Sequence, residues 1–233
     1  MFGDHYTVIG QAAEGAWLKI RIYFDDYEGW IDARQHQPIS AGYFEHINNT
    51  EYKITIDITS SLLYHKSPQL VLIGSIIPIS SSELFRMEEQ FAFNGEAKSL
   101  GQRRDLEFFR SIAMKYLNSP YQWGGKSPFG IDCSGFTQMV FKICGYKLLR
   151  DASQQVTQGR EVPSLSEARV GDLVFFSNER GDTGHVGILL SENRIIHASG
   201  KVRVDEMTSE GIRHVESGVI THRVAAIRRL MGN

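Results

Sequence analysis

Three residues in the second half of the chain have the types and surroundings that nucleophilic acyl transfer needs: Cys133, His185 and His197. A thiol is a good nucleophile near neutral pH only when its ordinary pKa of about 8.5 is lowered, by a helix N-terminus or a nearby imidazolium. Cys133 follows Gly130-Ile131-Asp132 and opens an apolar pattern of helical spacing through Phe136, Met139, Val140 and Ile143, with Gly145 where a glycine ends a helix. Asp132 is the expected N-cap. Free backbone N–H groups then surround the sulfur, where they favour a thiolate and can hold an oxyanion. Ser134 and Gly135 are small and leave room for a substrate. The expected base is His185, in Thr183-Gly184-His185-Val186-Gly187, with His197 in the following strand, Arg194-Ile195-Ile196-His197-Ala198. If Ser191-Glu192-Asn193 is a three-residue hairpin loop, Leu190 pairs with Arg194, and His185 and His197 become diagonal neighbours on one face. His185 would take the thiol proton and His197 would orient His185.

The remaining candidates have ordinary readings. His5, His36, His46, His65, His214 and His222 read as core or surface histidines, and Cys144, late in its helix, as a small buried hydrophobe. The spacings Cys-x10-Cys and His-x11-His are not those of common zinc modules. No metal or organic cofactor is expected, so alkylation of Cys133 should abolish activity and a chelator should not. The 233 residues carry a net charge of −2, with 42% apolar and 22% charged residues. That balance suits a globular protein and lacks the basic footprint of a nucleic-acid binder. The apolar stretch Leu70–Ile79 is broken by Gly74, Ser75 and Pro78 and is too short for membrane insertion, which needs roughly 20 apolar residues. Met1-Phe2-Gly3-Asp4-His5 lacks the basic and apolar regions of a signal peptide. A cytoplasmic location is the expectation, unless the chain was cut from a longer precursor. The sequence carries no signal for an oligomeric state.

The elements that must position these residues fall into two kinds. The first hundred residues read as short strands in small barrels or meanders: Trp17–Tyr23 with Leu18, Ile20 and Ile22 on one face, Gly29–Ile31, Tyr52–Ile58, Ser61–Tyr64 and Leu70–Ile77. Boundaries fall around Pro38–Asn49 and Gly95–Gly101, giving domains 1–40, 41–97 and 103–233. The second half reads as helix over Arg103–Asn118, stopped by Ser119-Pro120. After it come a Gly- and Pro-rich loop, the Cys133 helix, a polar helical stretch near Ser153–Gln158, and strands at Leu173–Phe176, His185–Leu190, Arg194–Ala198 and Val224–Leu230. Helices followed by an antiparallel sheet indicate an α+β class.

Five blocks in order carry a family resemblance: Ser119-Pro120-Tyr121-Gln122-Trp123-Gly124-Gly125, Gly130-Ile131-Asp132-Cys133-Ser134-Gly135-Phe136, Val170-Gly171-Asp172-Leu173-Val174-Phe175-Phe176, Gly184-His185-Val186-Gly187-Ile188 and Ile196-His197-Ala198-Ser199. Over about Arg103–Leu230 the chain resembles the NlpC-type family of papain-like cysteine peptidases. The resemblance implies a Cys133–His185–His197 triad, a nucleophile helix packed on an antiparallel sheet, and small peptides of the bacterial cell wall (murein) as substrates. Arg150-Asp151-Ala152-Ser153-Gln154-Gln155 resembles a segment of members that cut the γ-D-glutamyl bond to a diamino acid and recognise a free N-terminal L-alanine. Asp132, Ser134 and Ser153 would then contribute to the substrate site. The N-terminal β regions resemble small all-β bacterial SH3-like domains, in which Tyr27 matches a tyrosine that enters the groove. Met1–Val8 looks like the middle of such a domain, with its opening strand absent. A substrate ammonium needs acceptors, which Asp132 and Tyr27 could supply. Trp123 reads equally as a groove wall or as a core residue. An amidase or acyltransferase on the same scaffold, and a non-catalytic wall-binding protein, are the alternative functions.

Overall fold

Turn signals cut the N-terminal part into strands too short to stand alone, so they pair in small sheets. The computed structural model describes residues 1–64, 67–77, 91–178 and 180–232. His65, Pro78 and Ile79 lie outside the described residues. The chain divides into two compact units, Met1–Gln102 and Arg103–Asn233.

In the first unit, β1 (Tyr6–Gln11), β2 (Trp17–Ile22) and β3 (Glu28–Asp32) form an antiparallel sheet in that order. The alternation in β2 buries Leu18 and Ile20, while Lys19 and Arg21 on the other face pair with Glu28 at 2.9 and 2.7 Å. The stretch expected to be a boundary contains a helix, α1 (Ala41–Asn49). Ser40 caps it by accepting the Tyr43 N–H at 3.1 Å, a local signal that outweighs the Gly42 in its first turn. The strands β4 (Lys53–Thr55), β5 (Thr59–Tyr64), β6 (Ser67–Leu72), β7 (Ile76–Ile77), β8 (Phe91–Asn94) and β9 (Ala97–Ser99) then make two three-stranded sheets, ordered β7-β4-β9 and β6-β5-β8.

The second unit opens with α2 (Leu106–Lys115). It starts three residues after the expected Arg103 because Asp105 caps it, accepting the Phe108 N–H at 2.9 Å. Phe109, Ile112 and Ala113 form its buried face. A small hairpin, β10 (Lys126–Ser127) and β11 (Gly130–Ile131), leads into α3 (Cys133–Ile143), every residue of which is buried. Next come α4 (Ala152–Gln155), β12 (Arg160–Glu161), β13 (Leu173–Ser177), β14 (Thr183–Ser191), β15 (Arg194–Ser199), β16 (Lys201–Met207), β17 (Gly211–Arg213) and β18 (Ile220–Arg229). All pairings are antiparallel in the order β12-β18-β13-β14-β15-β16-β17, and β17 also pairs with β18. Six strands thus close into a small barrel with no free edge among them, and β12 flanks it. Val174, Phe176, Leu189, Ile195, Met207, Ile212 and Ile227 fill one continuous core. α3 packs on β14 and β15. The unit is therefore mixed α and β, with the cysteine helix laid on an antiparallel sheet.

Candidate active site

The Cys133 end of α3 is built from backbone and charge. Asp132 caps the helix, its Oδ1 accepting the Gly135 N–H at 2.6 Å. The same carboxylate accepts Arg150 Nη1 and Nη2 at 3.0 and 2.6 Å, the Gly124 N–H at 2.8 Å and the Ser134 hydroxyl at 3.3 Å. Arg150 also donates to Ser134 Oγ at 2.9 Å. Asp132, Ser134 and Arg150 are all buried, so the pair holds together by being bidentate and fully hydrogen-bonded. Gln155 ties α4 to the same helix, donating to the Ser134 carbonyl at 2.9 Å and accepting Thr137 Oγ1 at 2.8 Å. Gly135 is required here: a Cβ would stand 2.3 Å from the Gly125 carbonyl oxygen.

The Cys133 sulfur is buried and lies beside β14, where the Val186 N–H donates toward it, as do the helix N–H groups of Ser134 and Cys133. Burial pushes the Cys133 thiol up, against the stabilisation that the helix-start N–H groups were expected to supply. The Asp132 charge adds to the rise, and the three N–H donors oppose it without reversing it. His185 is driven the other way, well below the ordinary imidazole value, by burial first and then by His197 and His222. Both shifts favour a resting pair of thiol and neutral imidazole over an ion pair.

The hairpin of β14 and β15 brings the two expected histidines together. Gly187 pairs with His197 and Ile188 with Ile196, so His185 sits diagonal to His197. The turn differs from the expected three-residue loop: Ser191 pairs with Arg194 across Glu192-Asn193, and a bulge at Leu190 absorbs the extra residue without changing the register at the histidines. His185 Nε2 lies 2.8 Å from His197 Nδ1. Gly187 makes room for this, because a Cβ there would come within 3.0 Å of His197 Cβ and 2.8 Å of Ile195 Cδ1.

Three neighbours were not singled out in the sequence. Asp205, on β16, accepts His197 Nε2 at 3.0 Å and is itself held by Arg203 and the Val215 N–H. Burial would push its carboxyl up, but the hydrogen bonds from His197, Arg203 and Val215 outweigh it and hold Asp205 below the usual carboxylate range. His222, read as an ordinary histidine, stacks on His185 with ring centroids 4.2 Å apart and 28° between planes. Burial and the neighbouring His197 bring its pKa down to about 4, against the pull of Asp205. Tyr121 stands close enough to Cys133 and Asp132 that burial first, and then these two neighbours, raise its phenol, which stays protonated as a donor. The Ser-Pro-Tyr block was the sequence signal for Tyr121, and the alternation Arg203-Val204-Asp205 was the only one for Asp205.

The other expected site residues are spread out. Trp123 is 84% exposed, which excludes the core alternative for it. Ser153 is exposed on α4, whose Ala152 and Gln155 turn inward instead. Tyr27 belongs to the first unit, half-buried ahead of β3, with its N–H on Asp25 Oδ1 at 3.2 Å. Cys144 is fully buried. Among the described residues no group of His, Cys, Asp or Glu could hold a metal ion. A nucleophile at a helix start, with a linked imidazole pair on the adjoining strands, can carry out acyl transfer through a thioester.

A model of the NlpC/P60 family matches residues 118–222. Dipeptidyl-peptidase 6 of Lysinibacillus sphaericus is 39% identical over 196 residues, covering 80% of this chain and 69% of that protein. The gamma-D-glutamyl-L-lysine dipeptidyl-peptidase of Bacillus subtilis is 28% identical over 217 residues, covering 85% of this chain and 70% of its own length. The solved structure of an NlpC/P60 family protein from Bacillus cereus matches the fold with a TM-score of 0.81 at 22% identity, covering 98% of this chain and 80% of that one.

Proposed function

The chain belongs to the NlpC/P60 family, and from that premise we propose that it is a cysteine endopeptidase hydrolysing the γ-D-glutamyl to diamino-acid bond of murein stem peptides with a free N-terminal L-alanine. The observation that carries the reading is the placement of Cys133 at the start of α3, beside the strand whose His185 is hydrogen-bonded to His197. The names of the relatives from Lysinibacillus sphaericus and Bacillus subtilis support the bond and the substrate class.

In this reading Cys133 Sγ attacks the γ-carbonyl as its proton passes to His185. The N–H of Cys133 and the Tyr121 hydroxyl, held protonated beside the sulfur, donate to the oxyanion. Collapse gives a thioester, and His185 returns the proton to the leaving amine of the diamino acid. Water activated by His185 then frees the acyl half and Cys133. Both shifts run toward the neutral forms, so in this reading His185 works as a general base toward the thiol. Ser134, Ser153, Trp123 and, from an SH3-like N-terminal region, Tyr27 remain the proposed peptide-binding residues. Asp132 contributes by fixing Ser134 and Arg150.

The test is incubation with L-Ala-γ-D-Glu-L-Lys and its meso-diaminopimelate counterpart, followed by mass spectrometry. Release of L-Ala-D-Glu by the wild type and none by Cys133→Ala is expected. Absence of cleavage by the wild type, or equal cleavage by the variant, removes the reading. The N-acetylated tripeptide should be a poor substrate; equal turnover would remove the free-amine requirement alone.

A further inference from the structure

We propose that Asp205 is a positioning residue that acts on the Cys133 chemistry through two imidazoles, setting the tautomer of His197 and thereby leaving Nδ1 of His185 as the base. The proposal rests on the peptidase reading of Cys133 and adds to it a fourth member and its clamp, Arg203.

With both rings neutral, the form in which His185 can take up a proton, the hydrogen bonds fix the tautomers. An ionised carboxylate only accepts. Asp205 is buried to 1% exposure, yet it receives Arg203 Nε at 2.7 Å, Arg203 Nη2 at 3.1 Å and the Val215 N–H at 2.9 Å, which together hold it ionised. The His197 Nε2 that meets Asp205 Oδ2 at 3.0 Å must therefore carry its proton. The Nδ1 of that neutral ring is left as an acceptor, and His185 Nε2, 2.8 Å away, must donate to it. The lone pair of neutral His185 then lies on Nδ1. When the thiol proton arrives there, His185 becomes an imidazolium while the Nε2 protons of both rings stay in place. Asp205 stays ionised and stabilises the new cation across His197.

The buried site needs such a counter-charge. His185 lies in a desolvated position that disfavours its charged form, and the groups facing it offer little help. His222 from β18 stacks on one face, and Phe176 from β13 is tilted against it with centroids 5.8 Å apart. On the α3 side the Cys133 sulfur lies against the N–H of Val186, the residue after His185, and the Asp132 carboxylate that caps α3 is paired with Arg150. Glu216 is 76% exposed and touches the relay only through Arg203 at 4.0 Å. Asp205 is the carboxylate hydrogen-bonded into the imidazole pair. Arg203 shares its Oδ2, so the guanidinium tempers the charge that His197 feels.

The experiment measures alkylation of Cys133 by iodoacetamide against pH, located by peptide mapping, beside kcat and KM for the tripeptide. Asparagine at position 205 can donate as well as accept, so it permits the reversed tautomers, with the His185 proton aimed at the sulfur. Asp205→Asn should lower kcat by about 10²–10⁴-fold with KM little changed, by the logic of the serine-protease aspartate. It should also slow alkylation at pH 7 by about tenfold and move its rise to higher pH. Asp205→Glu should recover part of both. Arg203→Gln removes the competing cation and should move the alkylation rise to lower pH, opposite to Asp205→Asn; a purely structural role would weaken both variants alike. A folded Asp205→Asn with wild-type kcat and alkylation profile overturns the proposal. If that variant does not fold, an Arg203→Gln profile that stays put or moves upward overturns it instead. Alkylation needs no peptide, so failure of the substrate reading leaves this test standing.

Discussion

At the scale of single residues, the site is organised by two buried carboxylates with different partners. Asp132 is neutralised by Arg150 and by backbone N–H groups at the helix start, whereas Asp205 shares its charge between Arg203 and His197. Removing one half of a buried pair leaves the other uncompensated, typically at about 3–5 kcal/mol. Arg150→Met should therefore destabilise the protein by about that amount, read from urea unfolding at pH 7. It should also lower activity, because Ser134 and the first turn of α3 lose their fixed partner. The Asp132 cap and the start of α3 at Cys133 were legible because both depend on a few consecutive residues. The partner of Asp132 was not, since Arg150 lies 18 positions away and meets it only through the turn into α4.

Among the elements, α3 and the β14–β15 hairpin hold the proposed catalytic residues, and both are held by close approach at glycines. The hairpin needs Gly187 because its Cβ position is occupied by His197 and Ile195. Gly187→Ala should cost about 1–3 kcal/mol, as overpacked cores do. It should also lower kcat disproportionately to stability by displacing His197 from His185, a split that urea melts and steady-state kinetics on the same sample will show. The helix start, the strand periods and the diagonal relation of the histidines were readable because alternation and capping act over a few residues. The bulge at Leu190 and the helix over Ala41–Asn49 were not, since one depends on the pairing geometry of a turn and the other on a short segment of mixed composition.

For the molecule as a whole, the imidazole cluster sets a pH limit on stability. His222 has a pKa of about 4 when folded against an ordinary value near 6.5. His185 is shifted in the same direction. The unfolded chain therefore binds more protons than the folded one below pH 6.5, and stability must rise with pH across that window. The midpoint of urea unfolding should be flat above pH 7 and fall as the pH drops from 6.5 toward 4. His222→Phe should reduce that slope. Asp205 is lowered as well, below the carboxylate range, so its contribution is kept through this window and is lost only at more acidic pH.

Cys133, its helix and the strands bearing His185 and His197 were determined by the sequence alone, because each is encoded by caps, periods and turns within a dozen residues. What surrounds them was decided by the tertiary structure. Arg203 and Asp205 alternate with valines along β16 and read as the wet face of a strand. The register that sets Asp205 opposite Ile195, and the pairing of β17 with β18 that closes the barrel, turn them inward onto His197 and bring His222 over His185. Closure is a property of six strands together, and no segment of the chain carries it by itself.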